Sequence, residues 1–288
     1  MLRHLILTVS ALALLLSACQ NDSKSGGEAD STDTASMAQF AEDEGFQNAH
    51  DDPEAANAKN AGKMIEFPTP DGESAKAYAL MADSTVDDYL LVFHEWWGLN
   101  GHIKEEAERL KEELDSVHVI ALDLYDGEVA EKKKAASRLM KKVKEDRVRS
   151  IIKGALNKAG EEARIGTIGW CFGGGWSLKA SIMAGERGEA CVMYYGMPVK
   201  TREAIEPLQA PILAIFAMKD DWITPEKAKE FKALVTETGK TMQLQMFNAK
   251  HAFANPSNPN YDAQAAKAAQ AAAMAFLKKN LTEVEGKQ

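Results

Sequence analysis

The sequence predicts an α/β fold: a mainly parallel sheet with helices on both faces, preceded by an N-terminal hairpin. Three observations carry this. From Lys63 onward, strand-like and helix-like segments alternate with no internal repeat, the order that a doubly wound sheet produces. The run Tyr89-Leu90-Leu91-Val92-Phe93 is apolar throughout, which marks a strand buried on both faces. A glycine-rich turn, Gly169 to Gly175, stands directly between a strand segment and a helix segment.

The elements follow in order. Met64–Phe67 and Lys76–Met81 read as two strands joined through Pro68-Thr69-Pro70-Asp71-Gly72, a hairpin turn by composition. After the Tyr89–Phe93 strand, His102–Leu114 has helical spacing and i,i+4 charge pairs. Val117–Leu122 is strand-like, and polar helices follow at about 130–143 and 146–159. Ile165–Trp170 is a strand and Gly174–Ala184 a helix. Ala190–Tyr195 and Ile212–Met218 are strands; Pro225–Thr238 is a helix with proline in its first turn. Met242–Phe247 is the last strand, and Tyr261–Leu281 an alanine-rich helix. One domain over 61–281 accounts for all of them, with a short polar tail at 282–288.

Charge is distributed unevenly. The 288 residues carry a formal net charge of −9, yet ten acids and two bases lie between Gln20 and Asn60, so the remainder is nearly neutral. An acidic chain makes sequence-independent nucleic-acid binding an unsuitable function. With three cysteines, a disulfide-stapled miniprotein is excluded.

Residues 1–18 read as an export signal. Arg3 and His4 precede an apolar run, Leu5–Leu16, that is too short to span a bilayer comfortably. It ends in Leu16-Ser17-Ala18-Cys19, which resembles the lipobox of bacterial lipoproteins, with Cys19 the lipidated first residue after cleavage. An ordinary secretory signal followed by a chance cysteine is the plainer alternative. The lipobox implies export and anchoring by the lipid on Cys19. Gln20 rather than Asp follows it, which favours the outer membrane or periplasm of a Gram-negative cell. Residues 19–60 then read as an acidic, disordered tether that contributes nothing to the core.

The chemistry begins at Gly169-Trp170-Cys171-Phe172-Gly173-Gly174-Gly175. Strand, tight turn and helix are the context of a nucleophile elbow, here with Cys171 as nucleophile. The positions two before and two after it must be small, and the helix N-terminus favours the thiolate. The Phe172 N–H is placed to form part of an oxyanion hole. A phosphate-binding turn is a rival, but neither a dinucleotide fingerprint nor a phosphate-loop lysine is present; a buried structural thiol is the other. Asp220 follows one apolar strand and His251 the next, giving the order nucleophile, acid, histidine. His251 would act as general base and Asp220 would orient it. Asp220 could instead cap the next helix, Asp221 is a rival for its place, and His251 could be a loop residue with no role. Glu95, after the buried strand, falls at the carboxyl edge where sites form, and the Trp96 N–H is placed to complete the oxyanion hole; the plainer reading of Glu95 is a solvated carboxylate. His94 reads as a satisfied core histidine.

Together these residues resemble the dienelactone hydrolase family. The resemblance covers nearly all of 61–281. It rests on His94-Glu95-Trp96-Trp97-Gly98, Asp123-Leu124-Tyr125, the elbow motif, Asp220 and His251-Ala252-Phe253. It implies an α/β-hydrolase fold, a Cys171–Asp220–His251 triad and cleavage of a small ester or lactone through an acyl-thioester. It also implies a Glu95 that contacts the resting thiol. The family holds its substrate carboxylate with two arginines; the matching positions here are Gly127 and Asn255, so the anion clamp is missing. All five tryptophans stand close to motif residues. Trp97 or Trp222 is therefore expected to line an apolar, uncharged acyl pocket, with Tyr125 and Asn255 beside it.

No cofactor or metal pattern stands out. The expected partners are a small ester or lactone and, through Cys19, a membrane. The alternatives from other classes are a surface-tethered binding or redox-sensing protein that kept the fold, and a thiol oxidoreductase. The latter needs a resolving cysteine, and Cys191, at the start of a strand, falls at the opposite sheet edge. A peptidase or acyltransferase on the same triad is a further possibility.

Overall fold

The structure is a computed structural model that describes residues 36–82 and 86–282. The signal segment, Cys19, the tether up to residue 35 and the tail from 283 lie outside the described residues. Among the described residues no helix is long and apolar enough to cross a membrane.

Eight strands form one sheet in the order β1-β2-β4-β3-β5-β6-β7-β8. They are β1 (Lys63–Pro68), β2 (Ser74–Leu80), β3 (Asp88–Phe93), β4 (His118–Leu122), β5 (Arg164–Trp170), β6 (Gly188–Tyr194), β7 (Ile212–Ala217) and β8 (Met242–Phe247). The expected hairpin is β1–β2, and β2 joins β4 antiparallel. All other pairings are parallel. Every residue of β4 and of β7 is buried, as parallel strands covered by helices on both faces require.

The helices are α1 (Glu44–Asn48), α2 (Gly101–Glu113), α3 (Lys133–Lys142), α4 (Glu145–Ala159), α5 (Phe172–Ala184), α6 (Arg202–Ile205), α7 (Pro225–Glu237) and α8 (Ala263–Leu277). Their starts are written in local chemistry. Asn100 accepts the Ile103 N–H at the head of α2, Thr224 caps α7 ahead of Pro225, and Asp262 caps α8; each satisfies an otherwise orphaned donor. The helix expected from Gly174 begins two residues earlier, at Phe172, so its N-terminus faces the preceding Cys171.

Strand order places the site. From β3 the chain winds outward to β4, and from β5 it winds the other way through β6, β7 and β8. The carboxyl ends of β3 and β5 are adjacent, with Phe93 beside Gly169. That junction is the switch point at which doubly wound sheets open a crevice.

The expected tether is corrected over residues 36–60. Residues 37–40 form a 3-10 turn, and α1 follows. Met37, Ala41, Phe46 and His50 are buried. The segment is pinned along its length: Ser137 Oγ donates to the Ala41 carbonyl, Asp52 accepts the Lys133 N–H at 3.0 Å, and Glu108 accepts the N–H groups of Lys59 and Ala61. Residues 36–60 therefore pack as part of the folded domain, which does not begin at 61. An acid-rich segment conceals a few apolar anchors. Those anchors stabilise it only through partners far away in the chain.

Candidate active site

Cys171 is the last residue before α5, and its backbone is held at φ 53°, ψ −114°. A left-handed φ costs a residue with a side chain on the order of 1–3 kcal/mol and persists only where its surroundings enforce it. Here the glycines do so. A Cβ on Gly169 would lie 2.2 Å from the Gly173 carbonyl oxygen, and one on Gly173 would lie 2.3 Å from that of Phe93. Only bare backbone lets the turn close this tightly against β3.

The three residues expected to act together do meet. His251, on the loop after β8, stands with Nε2 3.3 Å from Cys171 Sγ. Its Nδ1 donates to Asp220 Oδ2 at 2.6 Å. The other Asp220 oxygen accepts the N–H groups of Trp222 and Ile223, both at 2.9 Å, which fixes the carboxylate. Asp221 is exposed, so Asp220 rather than its neighbour partners the histidine. The Asp220 and His251 side chains are fully excluded from solvent, and Cys171 is 1 % exposed.

Burial pushes the Cys171 thiol above its usual range, opposed by His251 and by the Phe172 N–H. Burial also works against a charged His251, but Asp220 and Cys171 outweigh it and hold the imidazole well above its ordinary value. The two groups lie in hydrogen-bond contact and titrate as a coupled pair.

Glu95 follows β3 and is buried, not solvated. Desolvation raises its carboxyl to about 7, against a hydrogen bond from Asn255 Nδ2 and the charge of His251. The family resemblance implied a Glu95 in contact with the thiol; instead Glu95 is held by Asn255, and the thiol by His251. Asn255 Oδ1 is in turn held by Ser257. Among the described residues Glu95 Oε1 and Tyr125 Oη are buried without a hydrogen-bond partner, and each is close enough for its charge to be coupled to that of Cys171. Orphaned polar atoms gathered at one place indicate a site shaped for a polar ligand.

The tryptophans separate. Trp97 and Trp170 line a cavity of about 640 Å³ together with Glu95, Tyr194 and Asn255. Trp222 does not reach it; its ring stands edge-on to Phe46 at 5.3 Å and to His251 at 5.8 Å. Tyr125 also lies outside it, against His94 and Phe172. Glu54, Glu105, Arg109 and Lys267 contribute to the cavity wall. The expected uncharged acyl pocket is thus corrected to a mixed one, because α2 and the segment near Glu54 bring charged side chains to its rim. At Gly127 no arginine replaces the clamp; the nearby Asp126 instead pairs with Arg147.

His94 is a core histidine. Its Nδ1 donates to the Glu95 carbonyl, Nε2 accepts the Leu124 N–H, and burial lowers its pKa to about 4. Cys191 is buried and free, as is Cys171. Sequence reasoning missed Phe46 and His50. Phe46 packs against Trp96, Trp222 and His251, with ring centroids 5.2, 5.3 and 5.7 Å away. His50 lies one helical turn further on, 4.7 Å from the Trp96 ring. The i,i+4 spacing of Phe46 and His50 was the available signal, hidden by the acids around it.

Comparison with known proteins bears on the family and the fold. The family model described as "Dienelactone hydrolase family" matches residues 76–281. A protein of Aquifex aeolicus named "Putative carboxymethylenebutenolidase" is 29% identical over 230 residues, 75% of this chain and 98% of its own. "Protein usf" of Aquifex pyrophilus is 28% identical over 234 residues, 77% of this chain and 100% of its own. Among solved structures, a putative dienelactone hydrolase from Klebsiella pneumoniae superimposes with a TM-score of 0.65 at 22% identity, over 76% of this chain and 99% of its own.

Proposed function

Because the chain belongs to the dienelactone hydrolase family and is a carboxylic ester or lactone hydrolase, we propose that it cleaves a small ester or lactone by nucleophilic catalysis at Cys171. The observation that carries this reading is the chain of contacts Cys171 Sγ–His251 Nε2 and His251 Nδ1–Asp220 Oδ2, at 3.3 and 2.6 Å, on a strained elbow.

In this mechanism His251 takes the thiol proton as Sγ attacks the carbonyl carbon. The tetrahedral oxyanion is held by the N–H groups of Trp96 and Phe172. Collapse expels the alkoxide, which His251 protonates, and leaves an acyl-thioester on Cys171. Water, deprotonated by His251, attacks the acyl carbon and restores the thiol. Asp220 keeps Nδ1 protonated and stabilises the imidazolium. Glu95, with a carboxyl near 7, is placed to adjust charge beside the thiolate. The cavity lined by Trp97 and Asn255 receives the acyl portion. With Gly127 and Asn255 where arginines would grip an anion, and with Arg109 of the cavity wall already paired to Glu106 and Glu113, substrates without a carboxylate are favoured.

We also propose that the chain is exported and anchored through a lipid on Cys19, in the outer membrane or periplasm of a Gram-negative cell. Palmitate labelling that persists in Cys19→Ala would contradict this. For the reaction, the test is a panel of short aryl esters and lactones, with and without a carboxylate. Turnover should vanish in Cys171→Ala, and neutral esters should be preferred. Turnover that survives in that variant would refute the nucleophile. No turnover on the whole panel would favour a binding protein.

A further inference from the structure

The proposed reaction makes no use of His50. This residue precedes the span matched by the family model, 76–281, yet it is 1 % exposed and its ring centroid lies 5.9 Å from that of His251. Its Nδ1 donates to the Phe46 carbonyl at 2.8 Å, which leaves Nε2 as the nitrogen with a free lone pair. His251 is arranged in the same way: Nδ1 is committed to Asp220, and Nε2 faces Cys171. One nitrogen of His50, one of His251 and the Cys171 sulfur all lie within 4.8 Å of one another.

We propose that His50, Cys171 and His251 form a three-ligand site for a thiophilic divalent cation of the zinc class, and that the ion holds the hydrolase inactive. A thiolate with two imidazoles is a donor set suited to zinc. Donors around a tetrahedral zinc stand roughly 3.3–3.6 Å apart, so the trio has to draw in by about 1 Å. Each imidazole already has the outer partner that metal-bound histidines use: the Asp220 carboxylate for His251, the Phe46 carbonyl for His50. The rings of Phe46 and Trp96 pack beside His50 and keep the site dry. Binding makes one metal–sulfur and two metal–nitrogen bonds in exchange for aqua ligands of the hydrated ion, and the thiol proton leaves to solvent. The ion then occupies the nucleophile and the general base together. Because His50 comes from the N-terminal segment, it also fastens that segment across the site.

Cobalt(II) is the probe, because a cobalt–thiolate bond gives a charge-transfer band. Reduced full-length protein, titrated without oxygen, should show this band saturating at one equivalent and lost on adding Zn²⁺. Cys171→Ala should abolish it. His50→Ala and the more conservative His50→Gln should each weaken binding by at least about 100-fold. Zn²⁺ should suppress ester turnover reversibly by chelator, with about 100-fold more zinc needed in either His50 variant. Equal cobalt affinity in the parent and both His50 variants, or no thiolate band, overturns the site. Cobalt binding without loss of turnover overturns the inhibitory role. The inhibitory role rests on the proposed hydrolysis, but the absorbance does not: an inert protein that binds cobalt refutes only the reaction, and an active one that does not refutes only the site.

Discussion

His251 Nδ1 lies 2.6 Å from Asp220 Oδ2, and neither side chain has any exposure to solvent. Away from water this charge-assisted hydrogen bond sets both the tautomer and the orientation of the imidazole. Asp220→Asn should keep the fold and lower kcat/KM by about 10³–10⁴-fold, since an amide permits the wrong tautomer. Asp221→Asn, at an exposed position, should change it by less than about threefold. Steady-state kinetics on one ester distinguishes the two; equal losses would show that Asp220 is not the orienting acid.

The thiol is the second test. Iodoacetamide should alkylate Cys171 in preference to Cys191, which burial raises to about 11 and which packs inside β6. His251→Ala should slow alkylation of Cys171 by about tenfold or more, because the base that shares its proton is gone. Mass spectrometry of the alkylated peptides reads both rates.

Glu95 links the site to stability. Its carboxyl is raised from 4.5 to about 7 by burial, so between these values the folded state binds more protons than the unfolded. The stability from its protonated form is full below about pH 4.5 and is lost as pH rises through 7, up to about 3 kcal/mol. Urea unfolding of the parent and of Glu95→Gln from pH 4.5 to 8 should show the parent losing ground with rising pH relative to the variant. A constant difference would exclude a buried, titrating carboxyl.

Phe46 tests the N-terminal segment. It is fully buried against Trp96, Trp222 and His251, and Phe46→Ala should cost about 3–5 kcal/mol if the whole domain unfolds with it. If the segment opens alone, global stability should change less, and Cys171 alkylation should accelerate instead. No change in either would mean that the segment does not pack there in solution.

Gly173→Ala should be poorly tolerated, since the added Cβ would lie 2.3 Å from the Phe93 carbonyl oxygen. Loss of soluble protein, or a Tm lower by about 10 °C or more, is expected. Gly127→Ala meets no neighbour and should cost only the strain of its positive φ, about 1–2 kcal/mol.

Much of the site was legible in one dimension because its chemistry is tied to strand ends. Cys171, Asp220, His251 and Glu95 each follow a strand segment, and in a doubly wound sheet the ends of such strands converge on one edge. The elbow glycines and helix caps are local demands of backbone geometry, and they too are written locally.

What only the tertiary structure decided depends on contacts between residues distant in the chain. The choice of Asp220 over Asp221 turns on which carboxylate reaches a histidine 31 residues away. Asn255 occupies an expected arginine position and holds Glu95, which lies 160 residues earlier. Phe46 and His50 sit in a segment that composition assigns to solvent, and they are buried only because Trp96, Trp222 and His251 form their surroundings. Periodicity reports the face an element turns to the core. It is silent on a short segment that gains stability only by packing against loops gathered from across the sheet.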